Sequence, residues 1–281
     1  IAPARIRGAL VSVNQMAIVT GILLAYFVNW SFAGVGPSNW RWMFATGALP
    51  AVIFLLLLVR VPESPRWLVK KDREAEALTI LTQVSSAEAA AAEIRNIQET
   101  ISLEKGSLAE LFQPGFRRAL VIAVVLAIFQ QITGINSVLY YAPRIFERAG
   151  FERLTAIGQS TLVGLVNIIF TIVAIALVDR VGRKPLLLTA AGGMGISLVL
   201  LGLAFKLQVL GGSLILLIIL LYIAFFAVAM GPIVWVVLSE IFPTRMRGSA
   251  MAIATVILWV ADFAATLTFP VIADRLNEST A

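Results

Sequence analysis

Long runs of apolar residues, separated by short polar segments, dominate the pattern of this chain. A helix that crosses a bilayer needs about 20 mostly apolar residues. Seven runs of that kind are found, at residues 9–29, 42–60, 119–141, 156–178, 185–205, 213–238 and 249–270. None of them alternates with a period of two, as strands of a membrane β-barrel do. The pattern therefore predicts an all-α membrane protein, a polytopic bundle with seven transmembrane helices.

One segment of different character separates the second and third predicted spans. Residues 61–117 are rich in Ala, Glu and Lys, and two stretches within them, 72–84 and 87–104, show a helical period of apolar positions. We therefore expect a linker of amphipathic helices on one membrane face. This linker divides the chain into three domains, which are 1–60, 61–117 and 118–281.

The composition agrees with a membrane protein and excludes several kinds of site. Hydrophobic residues make up 59% of the chain and charged residues 14%, whereas soluble domains have about 45–50% and 25%. The chain contains no His and no Cys, so we expect no zinc or iron–sulfur site, no other metal site and no disulfide. The glycine-rich stretch 192–195 lies inside an apolar span, which favours close helix packing over nucleotide binding. We expect neither a cofactor nor an enzyme activity.

The distribution of basic residues predicts the orientation in the membrane. With the spans above, 16 of the 22 Lys and Arg residues fall on one side and the other 6 on the opposite side. Cytoplasmic loops carry the excess of Lys and Arg. We therefore expect the linker 61–117 in the cytoplasm and residues 271–281 on the extracytoplasmic side. The net charge of +6 is then a matter of topology, and nucleic acid is not an expected partner.

Three amide side chains cluster in the third predicted span. Gln130 and Gln131 precede Gly134, and Asn136 follows it. The three do not share one face of a regular helix, but a helix that unwinds at Gly134 would direct all of them inward. Broken helices near the midplane form the substrate sites of many transporters, and amides suit a ligand rich in hydroxyl groups. Hydrogen bonding between neighbouring helices is the alternative.

Isolated polar and aromatic residues in other spans are further candidates. Gln15 lies in the first span and Asn167 in the fourth. Asp262 and Trp259 share one stripe of the seventh span, and a charge at a helix centre costs about 2.5–3.5 kcal/mol, so Asp262 must be paired, protonated or facing water. In the sixth span a Pro, which favours a kink, precedes Trp235 by one turn. We expect Trp235 to face inward, with a membrane-interface anchor as the alternative.

Charged residues cluster at the predicted cytoplasmic ends of the spans. Between the fourth and fifth spans, Gly182 permits a tight turn and Pro185 can open the next helix. One interpretation is simple cytoplasmic anchoring, and the other is an ion-pair latch that forms in one conformation and breaks in another. The candidate latch residues are Glu63, Arg66, Asp179, Arg183, Glu240 and Arg247.

Four of these motifs, in this order, resemble the sugar porter family of the major facilitator superfamily, which includes glucose facilitators and bacterial proton–sugar symporters. The resemblance implies a twelve-helix carrier in two halves, of which this chain would hold helices five to eleven. The motifs are Pro62-Glu63-Ser64-Pro65-Arg66, Gln130-Gln131-Ile132-Thr133-Gly134-Ile135-Asn136, Asp179-Arg180-Val181-Gly182-Arg183-Lys184, and Gly231-Pro232 through Phe242-Pro243.

The resemblance also implies a function and residue roles. A monosaccharide, either a hexose or a pentose, would be carried through the bilayer by alternating access, with protons as a candidate coupled ligand. The alternatives are a carrier of another polyol and a non-transporting sugar sensor on the same fold. Tyr140 and Tyr141 would form an outer gate, and Glu63, Arg183, Glu240 and Arg247 the cytoplasmic latch. Substrate contacts would come from Gln15, Gln130, Gln131, Asn136, Asn167 and Trp235. We further expect Trp259, together with Trp235, to cover the apolar face of the sugar.

Three positions depart from the pattern of that family. Leu258 stands where an amide or a similar polar residue often precedes the Trp of helix eleven, and Ala227 stands where some glucose facilitators carry an acid. Both changes remove polar contacts. Asp262 stands where Asn is frequent.

Overall fold

Helices account for the architecture of this protein. A computed structural model describes residues 7–102, 108–207 and 212–278. Within these ranges the secondary structure is helical and no strand is present, which confirms the predicted all-α class. The helices are α1 (Arg7–Phe32), α2 (Asn39–Thr46), α3 (Ala48–Leu58), α4 (Pro65–Lys70), α5 (Glu74–Thr82), α6 (Ala87–Ser102), α7 (Pro114–Ile132), α8 (Ile135–Arg148), α9 (Arg153–Val181), α10 (Arg183–Lys206), α11 (Gly212–Phe225), α12 (Gly231–Glu240) and α13 (Thr244–Glu278).

Seven helical segments of the described chain are long and apolar enough to cross a membrane. Each overlaps one predicted span, so a multi-pass membrane protein is confirmed. The second segment departs from the prediction of one continuous helix, because Gly47 separates α2 from α3. The segments are Val13–Phe32, Asn39–Leu58, Pro114–Arg148, Arg153–Val181, Arg183–Lys206, Gly212–Glu240 and Met246–Ala273.

The chain forms two compact units. The first comprises Ile1–Phe44, Val121–Ile241 and Ile253–Ala281, and the second comprises Ala45–Leu120 and Phe242–Ala252. The division into 1–60, 61–117 and 118–281 stays a prediction, as does the assignment of the two membrane sides.

The linker helices of the second unit have a small core of their own. The amphipathic stretches predicted at 72–84 and 87–104 appear as α5 and α6, and α4 precedes them. Their apolar faces pack on one another, and Arg73 on the outside pairs with Glu76 at 2.6 Å. The buried residues of this core are Leu68, Val69, Ala77, Leu81, Ala90, Ile94 and Ile97.

Close helix packing in the first unit depends on glycine. A Cβ atom added to Gly164 of α9 would lie 3.0 Å from the Cα atom of Leu23 in α1. In the predicted packing stretch 192–195, a Cβ atom on Gly193 of α10 would lie only 2.4 Å from the ring of Phe225 in α11. A Cβ atom added to Gly192 or Gly195 would have no atom of another segment within 4 Å. The stretch therefore packs closely through Gly193.

Two helix irregularities shape the region of the amide cluster. Gly134 adopts a left-handed conformation (φ 80°) between α7 and α8, so the break predicted in the third span is confirmed. The buried hydroxyl of Tyr222 donates to the carbonyl oxygen of Thr133 at 2.8 Å, which satisfies an acceptor beside the break. The second irregularity is a π-helical segment, Phe226–Met230, between α11 and α12. It lies just before Pro232, whose ring cannot donate a helix hydrogen bond.

Candidate functional site

The amide pair Gln131–Asn136 spans the break between α7 and α8. Gln131 belongs to the last turn of α7 and is 6% exposed, while Asn136 belongs to the first turn of α8. The Nδ2 atom of Asn136 donates to the Oε1 atom of Gln131 at 3.0 Å. The left-handed Gly134 thus brings together two amides that a regular helix would hold on different faces.

Gln130 lies beside this pair but faces the irregular segment of the sixth span. Its Nε2 atom donates to the carbonyl oxygen of Met230 at 2.6 Å and lies 3.5 Å from that of Gly231. Its Oε1 atom is buried and has no hydrogen-bond partner among the described residues. Gln15 approaches the same place, since a Cβ atom on Gly231 would lie 3.2 Å from its Nε2 atom. The Nε2 atom of Gln130 therefore binds the backbone of the sixth span, whereas its Oε1 atom remains an acceptor without a partner among the described residues.

Asp262 is paired with the amide cluster. Its Oδ1 atom accepts a hydrogen bond from Nδ2 of Asn136 at 2.8 Å and a longer one, 3.4 Å, from Oγ1 of Thr266. Asp262 as a whole residue is 8% exposed. Of the three possibilities that the sequence left open, a hydrogen-bonded partner is observed, and Asp262 also lines an open cavity. The sequence did not reveal the partner, Asn136, because the two residues are 126 positions apart.

A shallow cavity of about 360 Å³ opens between α8 and α13 beside this acid. Trp259 forms part of its wall and is 55% exposed. Tyr141 also lines the cavity and stacks on Phe269, with ring centroids 5.4 Å apart. The neighbouring Tyr140 is exposed as well. The cavity is lined by Tyr141, Trp259, Asp262, Phe263, Thr266 and Leu267.

Asn167 and Trp235 lie on two other helices of the first unit, α9 and α12. Asn167 is fully buried on α9, and its Oδ1 atom has no hydrogen-bond partner among the described residues. Trp235 is half-buried on α12, where both of its chain neighbours are buried completely. The hydrogen bonds of the described chain do not join either residue to the amide cluster. Their roles as substrate contacts stay predictions.

Three of the candidate latch residues meet at the ends of α9, α10 and α12. The Nε and Nη2 atoms of Arg183 donate to the two carboxylate oxygens of Glu240 at 3.1 and 2.8 Å. Nη2 also donates to Oδ1 of Asp179 at 3.0 Å. Gly182 makes this possible, because its φ of 92° allows α10 to start directly after α9. The arrangement is a partly exposed ion-pair network centred on one guanidinium group.

The remaining candidate latch residues belong to the second unit. Arg247 donates from Nη2 to the carbonyl oxygen of Phe242 at 3.4 Å. Glu63 is exposed, and its charge raises the pKa of Arg73, although less than hydrogen bonding by Glu76 does. Arg66 is half-buried at the start of α4. A single latch that unites all six residues stays a prediction.

Comparison with known proteins identifies the family of this chain. The family model described as "Sugar (and other) transporter" matches residues 1–280. The chain belongs to this family. An arabinose–proton symporter of Bacillus subtilis is 41% identical over 283 residues, which cover 98% of this chain and 61% of that protein. A D-xylose–proton symporter of Escherichia coli is 44% identical over 276 residues, or 96% of this chain and 56% of the relative.

Solved structures agree with membership of the sugar porters within the major facilitator superfamily. A proton:xylose symporter of that superfamily, bound to 6-bromo-6-deoxy-D-glucose, superposes with a TM-score of 0.83 at 42% identity. The match covers 98% of this chain and 58% of that structure. The chain therefore spans about three fifths of the length of these relatives. Sugar porters are transporters, and the fold predicted from the motifs is confirmed.

Proposed function

We propose that the protein, in its full natural length, transports a monosaccharide by alternating access. The observation that carries this proposal is the set of amides at the break between α7 and α8. Gln130 has a buried Oε1 atom without a partner among the described residues, and the adjacent Gln131 forms a hydrogen-bonded pair with Asn136. Donors and acceptors held close together in a membrane helix suit a ligand covered with hydroxyl groups.

The aromatic residues beside the amides support the same ligand class. A sugar ring has an apolar face of C–H groups as well as hydroxyl groups. Trp259 and Tyr141 offer apolar ring surface on the cavity that Asp262 also lines. The relatives named above are arabinose and xylose symporters, so a pentose or hexose is the proposed substrate and a proton the proposed coupled ion. Gln15, Asn167 and Trp235 are proposed as further contacts from α1, α9 and α12.

Uptake by reconstituted protein tests this proposal. The full-length protein in proteoliposomes should accumulate at least one hexose or pentose, and an inward proton gradient should increase the accumulation. Gln131→Ala should raise the KM for that sugar roughly tenfold, because one lost hydrogen bond of about 1.4 kcal/mol corresponds to that factor. The amount of protein in the membrane should not change.

The matched control is Gln83→Ala, which removes an exposed amide that follows α5 in the linker. It should leave both uptake and membrane level as they are. If Gln131→Ala leaves uptake of every hexose and pentose unchanged, the amide pair is not the substrate site. Preference for an acyclic or cyclic polyol over all sugars would instead identify the protein as a polyol carrier.

A further inference from the structure

The hydrogen bonds of Asp262 suggest a role beyond filling a place on α13. We propose that Asp262 is a positioning residue of the binding site. Its Oδ1 atom, as a fixed acceptor, sets the direction of the hydrogen bonds through Asn136 and Gln131, and so determines which polar atoms of these amides face the ligand. The inference rests on the proposed function, because the ligand in question is the transported sugar.

The contact with Asp262 sets the orientation of the Asn136 amide. An ionised carboxylate carries only acceptors, whereas an amide side chain carries an acceptor at one end and donors at the other. Asn136 must therefore turn its Nδ2 atom towards Oδ1 of Asp262, which lies 2.8 Å away. The opposite orientation would place two oxygen atoms in contact with no proton between them. The acceptor Oδ1 of Asp262 thus selects one of the two orientations of the Asn136 amide.

The orientation of Asn136 in turn determines the orientation of the Gln131 amide. The Nδ2 atom of Asn136 has two hydrogens, and its second hydrogen bond goes to Oε1 of Gln131 at 3.0 Å. The direction of the Gln131 amide is therefore set as well. The atoms left for a ligand are the acceptor Oδ1 of Asn136 and the donor Nε2 of Gln131. A hydroxyl group that donates to the former and accepts from the latter satisfies both.

The surroundings of Asp262 strengthen this selection. Hydrogen bonds to a carboxylate group are about twice as strong as those between neutral groups, and Asp262 is 8% exposed. Thr266, one turn further along α13, donates to the same Oδ1 atom at 3.4 Å and helps to hold the carboxylate. An Asn at position 262 would present either end to Asn136, and the direction would no longer be fixed.

Fluorinated sugars test the direction of these hydrogen bonds. Fluorine in place of a hydroxyl group can accept a weak hydrogen bond but cannot donate one. In the wild-type protein, fluorine at the position that meets Oδ1 of Asn136 should weaken inhibition of uptake roughly tenfold, the factor for one lost hydrogen bond. In Asp262→Asn the amides can turn and donate to fluorine. The ratio between the fluoro sugar and the parent sugar should therefore fall several-fold at that position alone.

Each arm uses the full-length protein in proteoliposomes and a series of monofluoro analogues of the best sugar. Asp262→Glu keeps the charge and should keep the wild-type ratio. Asp72→Asn is the matched control, because it makes the same chemical change at an exposed position of the linker. Asn also tolerates the positive φ of 59° that Asp72 adopts. If Asp262→Asn fails to reach the membrane, the smaller neutral variant Asp262→Ser takes its place.

Two results would overturn the positioning role. One is a fluoro-to-parent ratio that is the same in the neutral variants and in the wild type at every ring position. The other is a uniform rise in KM for all analogues, as a purely structural role of Asp262 would give. A wild-type protein that takes up no sugar overturns the proposed function instead, so the two failures are distinguishable.

Discussion

The variant Gly193→Ala tests whether glycine allows α10 and α11 to approach closely. The added Cβ atom would lie 2.4 Å from ring atoms of Phe225, whereas carbon atoms in favourable contact are about 3.5–4.0 Å apart. The Phe225 ring or one of the helices must therefore move by about 1 Å. Overpacking of this kind typically costs about 1–3 kcal/mol. The better helix propensity of Ala offsets up to about 1 kcal/mol, so a net loss of about 1 kcal/mol is expected.

The same helix provides matched controls for this prediction. Gly192→Ala and Gly195→Ala add the same methyl group where no atom of another segment lies within 4 Å. The assay is the thermal midpoint of the purified protein in detergent, followed by the loss of the monodisperse peak in size-exclusion chromatography. Gly193→Ala should melt below the wild type, and both controls should melt at or above it. Adding Phe225→Leu to Gly193→Ala should recover part of the loss.

Equal midpoints for Gly193→Ala and the two controls would refute this reasoning. Such a result would mean that the Phe225 ring turns aside at no cost. Close packing of α10 on α11 would then not require glycine at position 193.

Two further predictions concern the hydrogen bond of Tyr222 beside the amide cluster and the ion pair between Arg183 and Glu240. Tyr222→Phe removes the hydroxyl group that donates to the carbonyl oxygen of Thr133. The thermal midpoint should fall, because a hydrogen bond of this kind contributes about 0.5–1.5 kcal/mol. An unchanged midpoint would show that another donor replaces the hydroxyl group. Arg183→Glu and Glu240→Arg should each slow sugar uptake. The double variant should regain part of the rate, because the ion pair can form again with its charges exchanged. A double variant no faster than the single ones would contradict a functional latch.

The sequence was sufficient for the fold because the membrane limits the choice. Each apolar run had to be about as long as a bilayer is thick, and the backbone inside lipid had to satisfy its own hydrogen bonds. Gly134 could be recognised as a helix break because it stands among amides that no regular helix directs to one side. Gly47 lies among apolar residues without such a signal, so the interruption between α2 and α3 was not predicted.

The partners of the site residues were harder to predict, since they depend on how distant helices are rotated about their axes. The bond between Asn136 and Asp262 joins α8 to α13, and neither helix alone contains a sign of it. The bond from Gln130 to Met230 depends on a π-helical segment. Such segments arise from tertiary packing as much as from sequence, so only the neighbouring Pro232 could have indicated an irregular backbone at that place.

The two irregular helices of the site are tied together at both ends of the amide cluster. Tyr222 of α11 binds the backbone beside Gly134, and Gln130 of α7 binds the backbone at the end of the π-helical segment. Straightening either helix would therefore break hydrogen bonds that hold the other. The third and sixth spans should therefore bend as one mechanical element, so that loss of the Tyr222 hydroxyl group would loosen both of them.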